Sequence, residues 1–364
     1  MGNMERFSVG WGADADWRNA LEESLERVEP LSGDANLGFV YLSDHLAGEA
    51  ASILTVLRGR TGIDDWVGTT GIGIVANGQQ FFDTPALAIM VASIPHGAGH
   101  LLTPTQPLPA GFRPWFGVAH ADPTLEGLPE QLAALESEPG GYWVGGLAAS
   151  RGPNPVIARS LVTGTAAGVA FSEQVPVVTA LSQGCTPIGP SREITKAERN
   201  IIVELDGQPA FEVFKAEIGE VLARNLNRIP GFIFAGLSNA GSDGGNYLVR
   251  DIAGVDPQHG LVAVPQDVTV GERVMFCRRD SGAAATDMTR MLGSLAERSG
   301  PTPPRGGLYF SCLGRGPSLF DDERSEAAMI RERFPDLPLV GFFGNGEIAN
   351  SRLYAYTGVL SLFL

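Results

Sequence analysis

Runs of about five apolar residues alternate along this chain with stretches in which apolar positions recur every three or four residues. The first pattern predicts strands and the second amphipathic helices. Gly38 to Leu42 reads as a strand, Leu46 to Leu57 as a helix with its stripe on Leu46, Ala50, Ile53, Leu54 and Leu57, and Trp66 to Thr70 and Ala86 to Ile94 as two further strands. The order returns at Trp115 to His120, a helix around Leu128 to Leu135, Tyr142 to Gly146 and a strand near Val169. It returns again at Leu308 to Cys312, a helix from about Asp322 to Phe334, Leu339 to Phe343 and a strand from Tyr354 to Phe363. Each second strand carries a Val-Gly pair: Val67-Gly68, Val144-Gly145 and Val340-Gly341. Phe39, Phe116 and Tyr309 precede those valines by 28, 28 and 31 residues. Such self-similarity predicts a copied β-α-β-β unit, and at about 60 residues per copy not a solenoid.

Other helical stripes lie on Trp17, Leu21, Leu25 and Val28, with Asp14 or Asp16 as cap; on Phe211, Phe214, Ile218, Val221, Leu222 and Leu226; and on Met288, Met291, Leu292 and Leu295. Asp321, Asp322 and Glu323 suit the positive N-terminal end of the last helix. Short strands are expected at Val175–Leu181, Ile201–Leu205, Tyr247–Arg250, Leu261–Val264 and Val274–Phe276. The short connection between the second and third strands of each copy predicts antiparallel pairing, since a parallel return needs a dozen or more residues. The expected class is α+β: mixed, largely antiparallel sheets built from repeated β-α-β-β units flanked by helices, in two domains. Asp206-Gly207 is the best boundary, giving domains 1–207 and 208–364.

Composition narrows the function. With 26 basic against 41 acidic residues the formal charge is −15, which gives no support for nucleic-acid binding or for attraction to anionic membranes. Three distant cysteines, Cys185, Cys277 and Cys312, fit a reducing cytosol better than a disulfide framework. No apolar run approaches the length of a bilayer span, and the expectation is a cytoplasmic protein.

Standard catalytic signatures fail in turn. There is no phosphate-cradling P-loop, Gly71 and Gly73 lack the third glycine of a dinucleotide fingerprint, and the segment from Gly236 to Gly241 has one residue too many for a nucleophile elbow. His96 and His100 sit among Gly and Pro, which disfavours a metal-binding helix; no metal is expected. What remains is a set of strand-end turns. Ser311, Cys312, Gly314, Arg315 and Gly316 place a hydroxyl, a thiol and a guanidinium among glycines that let backbone N–H groups face a ligand. Arg315 suits a carboxylate, and Asn345 and Glu347 suit an ammonium group: the two ends of an amino acid. Cys185 lies in a further turn with a thiol. The first two copies have Gly68-Thr69-Thr70-Gly71 and Gly145-Gly146-Leu147-Ala148 in the matching place, both poor in charge, so the C-terminal copy is the expected ligand site.

At these residues the chain resembles the FIST family of sensory domains. The resemblance runs from Phe7–Gly12 through Val67–Thr70 and Gly184–Gly189 to its most specific part, Phe310–Gly316 with Leu339–Ile348. It implies a FIST-N-like domain followed by a FIST-C-like domain, and a two-domain cytosolic sensor of an amino acid or related metabolite. Such a sensor would be no enzyme, would need no cofactor, and would pass its signal to a separate partner such as a histidine kinase. Some family members bind haem and sense nitric oxide, which is the alternative reading, followed by a hydrolase or transferase using Cys312 or Cys185.

Overall fold

The computed structural model describes residues 7–103, 107–137, 140–219, 226, 229–238, 247–320 and 325–364. They form two compact units that do not follow chain order: residues 1–182 with 287–364, and residues 183–286. The fold is mixed α/β, with seven helices and mostly antiparallel sheets among the described residues.

The larger unit holds the three copies. In each, two strands flank a helix and pair in parallel: Leu37–Ser43 with Trp66–Gly71, Phe116–Ala121 with Tyr142–Leu147, and Gly306–Cys312 with Leu339–Gly344. The intervening helices are Ala50–Thr61, Leu128–Ser137 and Glu326–Arg333. A one-turn-plus 3-10 segment, Asp44–Glu49, precedes the first. The third strands, Ala86–Ala92, Ala167–Phe171 and Thr357–Phe363, are antiparallel as expected, but their partner is the first strand and not the second. The connection from second to third strand is occupied instead by a two-stranded hairpin that leaves its own copy.

Those hairpins are exchanged cyclically. The hairpin Gly73–Ala76/Gln79–Phe82 of the first copy pairs with the second strand of the third copy. Val156–Ala158/Ser160–Val162 of the second copy pairs with the first copy, and Glu347–Ala349/Arg352–Tyr354 of the third pairs with the second. One further strand on the opposite edge, Ser8–Ala13, Gly99–Leu102 or Val177–Gln183, completes each sheet, so all three are six-stranded with the same strand order. A hairpin on its own is marginal in water, and pairing it with another copy's edge satisfies its backbone.

The Val-Gly pairs have a packing cause. A Cβ on Gly68, Gly145 or Gly341 would collide with the carbonyl oxygen of Val40, Ala119 or Tyr309 on the neighbouring first strand. The ladder also corrects the sequence register. Val67 faces Phe39, but Val144 faces Val118 and not Phe116, and Val340 faces Leu308 and not Tyr309. Two copies share a tryptophan lock: the Trp66 and Trp143 rings lie over Gly38 and Gly117, and their Nε1–H groups donate to Ile63 and Gly140 carbonyls at 3.0 and 2.8 Å.

In register terms Tyr41, His120 and Phe310 are the same residue of three copies, and their rings meet. Tyr41 and His120 stand edge to face at 5.5 Å, His120 and Phe310 at 5.5 Å, and Tyr41 and Phe310 at 6.1 Å, with Phe342 stacked on Tyr41 at 5.2 Å. Tyr41 and Phe342 keep this aromatic centre dry and His120 puts a titratable ring in it.

The smaller unit is an antiparallel sheet with strands from Cys185–Pro187 to Arg273–Arg279, covered by the helix Ala210–Ile218. Phe211, Phe214, Ile218 and Leu226 of the expected stripe pack on its core, and the helix stops at Gly219, whose φ is 80°. Val221, Leu222, Asp321, Asp322, Glu323 and part of the turn Gly236 to Gly241 lie outside the described residues. Asp206 and Gly207, at φ 49° and 77°, form a hairpin turn before that helix.

Candidate functional site

The strand Gly306–Cys312 delivers Tyr309, Ser311 and Cys312 to one end of the third copy, and the turn after it carries Arg315. The helix Glu326–Arg333, capped by Ser325, presents Glu326 from its first turn. Arg315 and Glu326 are both fully buried, and the Arg315 Nε donates to Glu326 Oε1 at 2.7 Å. The remaining carboxylate capacity accepts from the Tyr309 hydroxyl at 2.6 Å, the Ser311 hydroxyl at 3.1 and 3.2 Å and the Gly316 N–H at 3.4 Å. The guanidinium donates further to the Ser182 and Tyr356 carbonyls and the Ser182 hydroxyl, each at 3.3 Å. Burial opposes the Arg315 charge, and Glu326 outweighs it, so the guanidinium is held above its ordinary pKa. Burial likewise drives the Tyr309 hydroxyl well up.

Glu347 opens the hairpin that the third copy lends to the second. It pairs with Gly146 across the ladder and is 1% exposed. Its Oε2 accepts from the Thr357 hydroxyl at 2.6 Å and the Thr357 N–H at 3.1 Å, while its Oε1 has no partner. Burial pushes this carboxyl up to about 8, against the Thr357 hydrogen bonds and the Arg315 charge, which pull it down. The equivalent hairpin positions, Ile74 and Val156, are apolar and buried. A carboxyl has therefore replaced a core hydrophobe in one copy of three. An unpartnered buried polar oxygen costs on the order of 1–3 kcal/mol, so packing alone does not favour it.

Cys312 is buried beside this carboxyl. Burial first, and then the Glu347 charge, raise its thiol far above the ordinary value, although backbone N–H groups of Gly314 and Tyr356 and the Arg315 charge work the other way. The group is a protonated thiol, unlike an activated nucleophile. Gly314 lies against the Tyr356 ring, where a Cβ would come within 3.0 Å of it, and Tyr356 itself has φ 61°, a left-handed conformation that disfavours a side chain. Asn345 is exposed, and its N–H donates to the Leu147 carbonyl at 3.1 Å.

The structure thus brings Ser311, Cys312, Gly314, Arg315, Gly316 and Glu347 to one end of the third copy, with Asn345 on the adjoining turn. Cys185 belongs to the other compact unit, where it is buried and its carbonyl accepts from the Tyr247 hydroxyl at 2.9 Å. Arg315, expected as an open fork for a ligand, has its fork answered by Glu326. Sequence reasoning missed Glu326, Thr357, Tyr309, Ser182 and Tyr356. A glutamate in the first turn of a helix reads as a dipole partner or a solvated charge, and nothing in its neighbours signals burial. Among the described residues no group of three His, Cys, Asp or Glu side chains could hold a metal ion, and no helix is long and apolar enough to cross a membrane.

The larger unit is a copied β-α-β-β scaffold with one chemically distinct copy, and the smaller unit, residues 183–286, lies in the chain between the second and third copies. The chain belongs to the FIST family: the FIST N domain matches residues 36–208 and the FIST C domain residues 210–350. FIST domains are associated with small-ligand sensing in signal transduction. Over 396 residues the chain is 29% identical to the uncharacterized protein Rv0628c of Mycobacterium tuberculosis, covering 99% of this chain and 100% of that one. It is 28% identical to the uncharacterized protein Mb0898c of Mycobacterium bovis over 395 residues, 99% of each. A 48-residue segment is 46% identical to F-box only protein 22 of Homo sapiens, 13% of this chain and 12% of that one.

Proposed function

We propose that this protein is a non-catalytic sensor whose small ligand, an amino acid or related metabolite, is held at the Cys312–Glu347 end of the third copy. The observation that carries the reading is Glu347 Oε1, a buried carboxyl oxygen without a partner, standing where the other two copies place Ile74 and Val156. A ligand ammonium would complete its hydrogen bonding. Arg315 holds the wall of the site and, through Glu326, Ser311 and Tyr309, keeps it rigid. The raised Cys312 thiol favours sensing over nucleophilic chemistry. In this reading no cofactor takes part, and a separate signalling protein, such as a histidine kinase, receives the output.

A thermal-shift screen of amino acids and metabolites tests it. Ligand at about 100 Kd adds about 2.7 kcal/mol to the folded state. A hit is expected to disappear in Glu347→Gln. If no compound stabilises the wild-type protein, or if Glu347→Gln responds as the wild type does, the reading fails.

A further inference from the structure

We propose that Glu347 takes up its ligand by exchange: the cationic amino group of the ligand enters as the carboxyl proton leaves, so binding is coupled to release of one proton. The inference rests on the sensor reading above and names the part of the ligand that is read, an ammonium group, with its carboxylate secondary. Three features of the site lead to it.

First, the geometry of Glu347 is one-sided. Thr357 supplies two donors to Oε2 and leaves Oε1 bare inside the protein. A neutral carboxyl can carry its proton on that bare oxygen; an ionised one requires a donor or a cation there. Second, the cation nearest to hand is already committed. Arg315 is bound through Nε to Glu326 and through both terminal nitrogens to Ser182 and Tyr356, so four of its five N–H groups are taken and its fork cannot grip a ligand carboxylate with two bonds. Recognition of the anionic end is therefore weak and recognition of the cationic end is strong. Third, the surroundings make exchange the only inexpensive way to ionise the group. The charged and titratable groups around Glu347 are Arg315 and Glu326, whose charges it feels, Cys312, whose thiol its own charge raises, Tyr354 opposite it in its own hairpin, and His120 one strand beyond Gly146. Glu326 repels a second negative charge, the raised Cys312 thiol is neutral, and His120 is neutral above about pH 4. Arg315 alone opposes, and Glu326 already balances it.

The step balances without any co-reactant: R–NH3+ binds, Glu347–COOH becomes Glu347–COO−, and one H+ passes to solvent. With the carboxyl titrating at about 8 in the empty site, binding near pH 7 releases close to one proton. Affinity for a cationic ligand then rises about ninefold from pH 6 to pH 7, about fivefold from pH 7 to pH 8, and levels above that.

Isothermal titration calorimetry on the full chain tests this with ethanolamine, L-alanine, L-leucine and propionate. Runs in phosphate and Tris at one pH separate the heat of proton release from that of binding. The expected result is binding by both amino acids and by ethanolamine, much weaker binding by propionate, about one proton released at pH 7, and a Kd that falls about fiftyfold from pH 6 to pH 8. Glu347→Gln is expected to release no proton and to bind at least tenfold more weakly. Amino-acid binding without proton release, or with a Kd independent of pH over that range, overturns the exchange and leaves the sensor reading standing. Propionate binding as tightly as ethanolamine overturns the assignment of the cationic end. No binding by any of the four at any pH overturns the exchange and counts against the sensor reading itself; the wild-type measurements decide this even if the variant does not fold.

Discussion

The turn after the first strand carries an ion pair in two of the three copies, and the two pairs differ in kind. In the first copy Asp44 meets Arg151 at 2.5 Å, with the Asp44 side chain 3% exposed and the Arg151 side chain 58% exposed and also touching Asp83. In the third copy Arg315 meets Glu326 at 2.7 Å with both side chains wholly buried. Burial acts to raise the Asp44 carboxyl, but the bonds from Arg151 hold it below the usual range, and water can take over much of that work when the arginine moves. No water stands behind the buried pair. Each partner there is needed to solvate the other, so the pair fixes geometry even where it adds little net stability. The turn after the first strand thus carries a replaceable contact in one copy and the fixed wall of a site in another.

Truncation separates the two most sharply. Arg315→Ala or Glu326→Ala is expected to cost about 3–5 kcal/mol in urea denaturation, because an uncompensated buried charge remains. Arg151→Ala is expected to cost far less, because water reaches the arginine and screens the pair. Equal losses would break the comparison.

Glu347 gives the next largest effect, and its sign is opposite to that of an ordinary carboxylate. Its folded pKa, about 8, lies above the 4.5 of a free glutamate, so between these limits the folded state binds the extra proton. Stability is complete below the lower value and is lost as pH rises through the upper one, by about 5 kcal/mol in all. Glu347→Ile, which installs the residue type of the other copies, should flatten that slope and make the protein more stable than wild type at pH 9. A wild-type stability that is flat from pH 5 to 9 would show that the carboxyl is not held protonated.

His120 works on the acid side. Burial lowers its pKa to about 4, with a bond to the Gly146 carbonyl opposing. The unfolded chain binds a proton first as pH falls below 6.5, so stability is lost between about 6.5 and 4, by about 3 kcal/mol. His120→Phe, copying Phe310, should remove this loss while keeping the aromatic centre. Denaturation midpoints at pH 4.5 and 7.5 measure it. The smallest effect is expected at Arg58→Ala, whose pair with Asp64 has both side chains exposed: about 0.5 kcal/mol, shrinking with added salt.

Much of the fold was legible because its signals are local. Val67-Gly68, Val144-Gly145 and Val340-Gly341 mark equivalent points of three second strands, and the helices at Trp17, Leu46 and Met288 follow from their apolar stripes. Register was less legible: Phe116 and Tyr309 resemble Phe39, but pairing depends on which glycine a neighbouring carbonyl can tolerate, and that contact lies dozens of residues away. Of the candidate site, the turn residues Ser311, Cys312, Arg315 and Glu347 could be named from their chemistry. Their partners Glu326, Ser182 and Thr357 could not, since each is an ordinary residue until the fold closes over it.

Spacing and residue type are written along the chain, and they were enough for a thrice-copied strand–helix–strand unit, a chemically distinct last copy and the FIST resemblance. The exchange of hairpins between copies, the bond from Arg315 Nε to Glu326 and the bare oxygen of Glu347 appear only once the chain is folded. Those outcomes depend on which surfaces exclude water from one another, and water exclusion is a property of the assembled fold and not of any local segment.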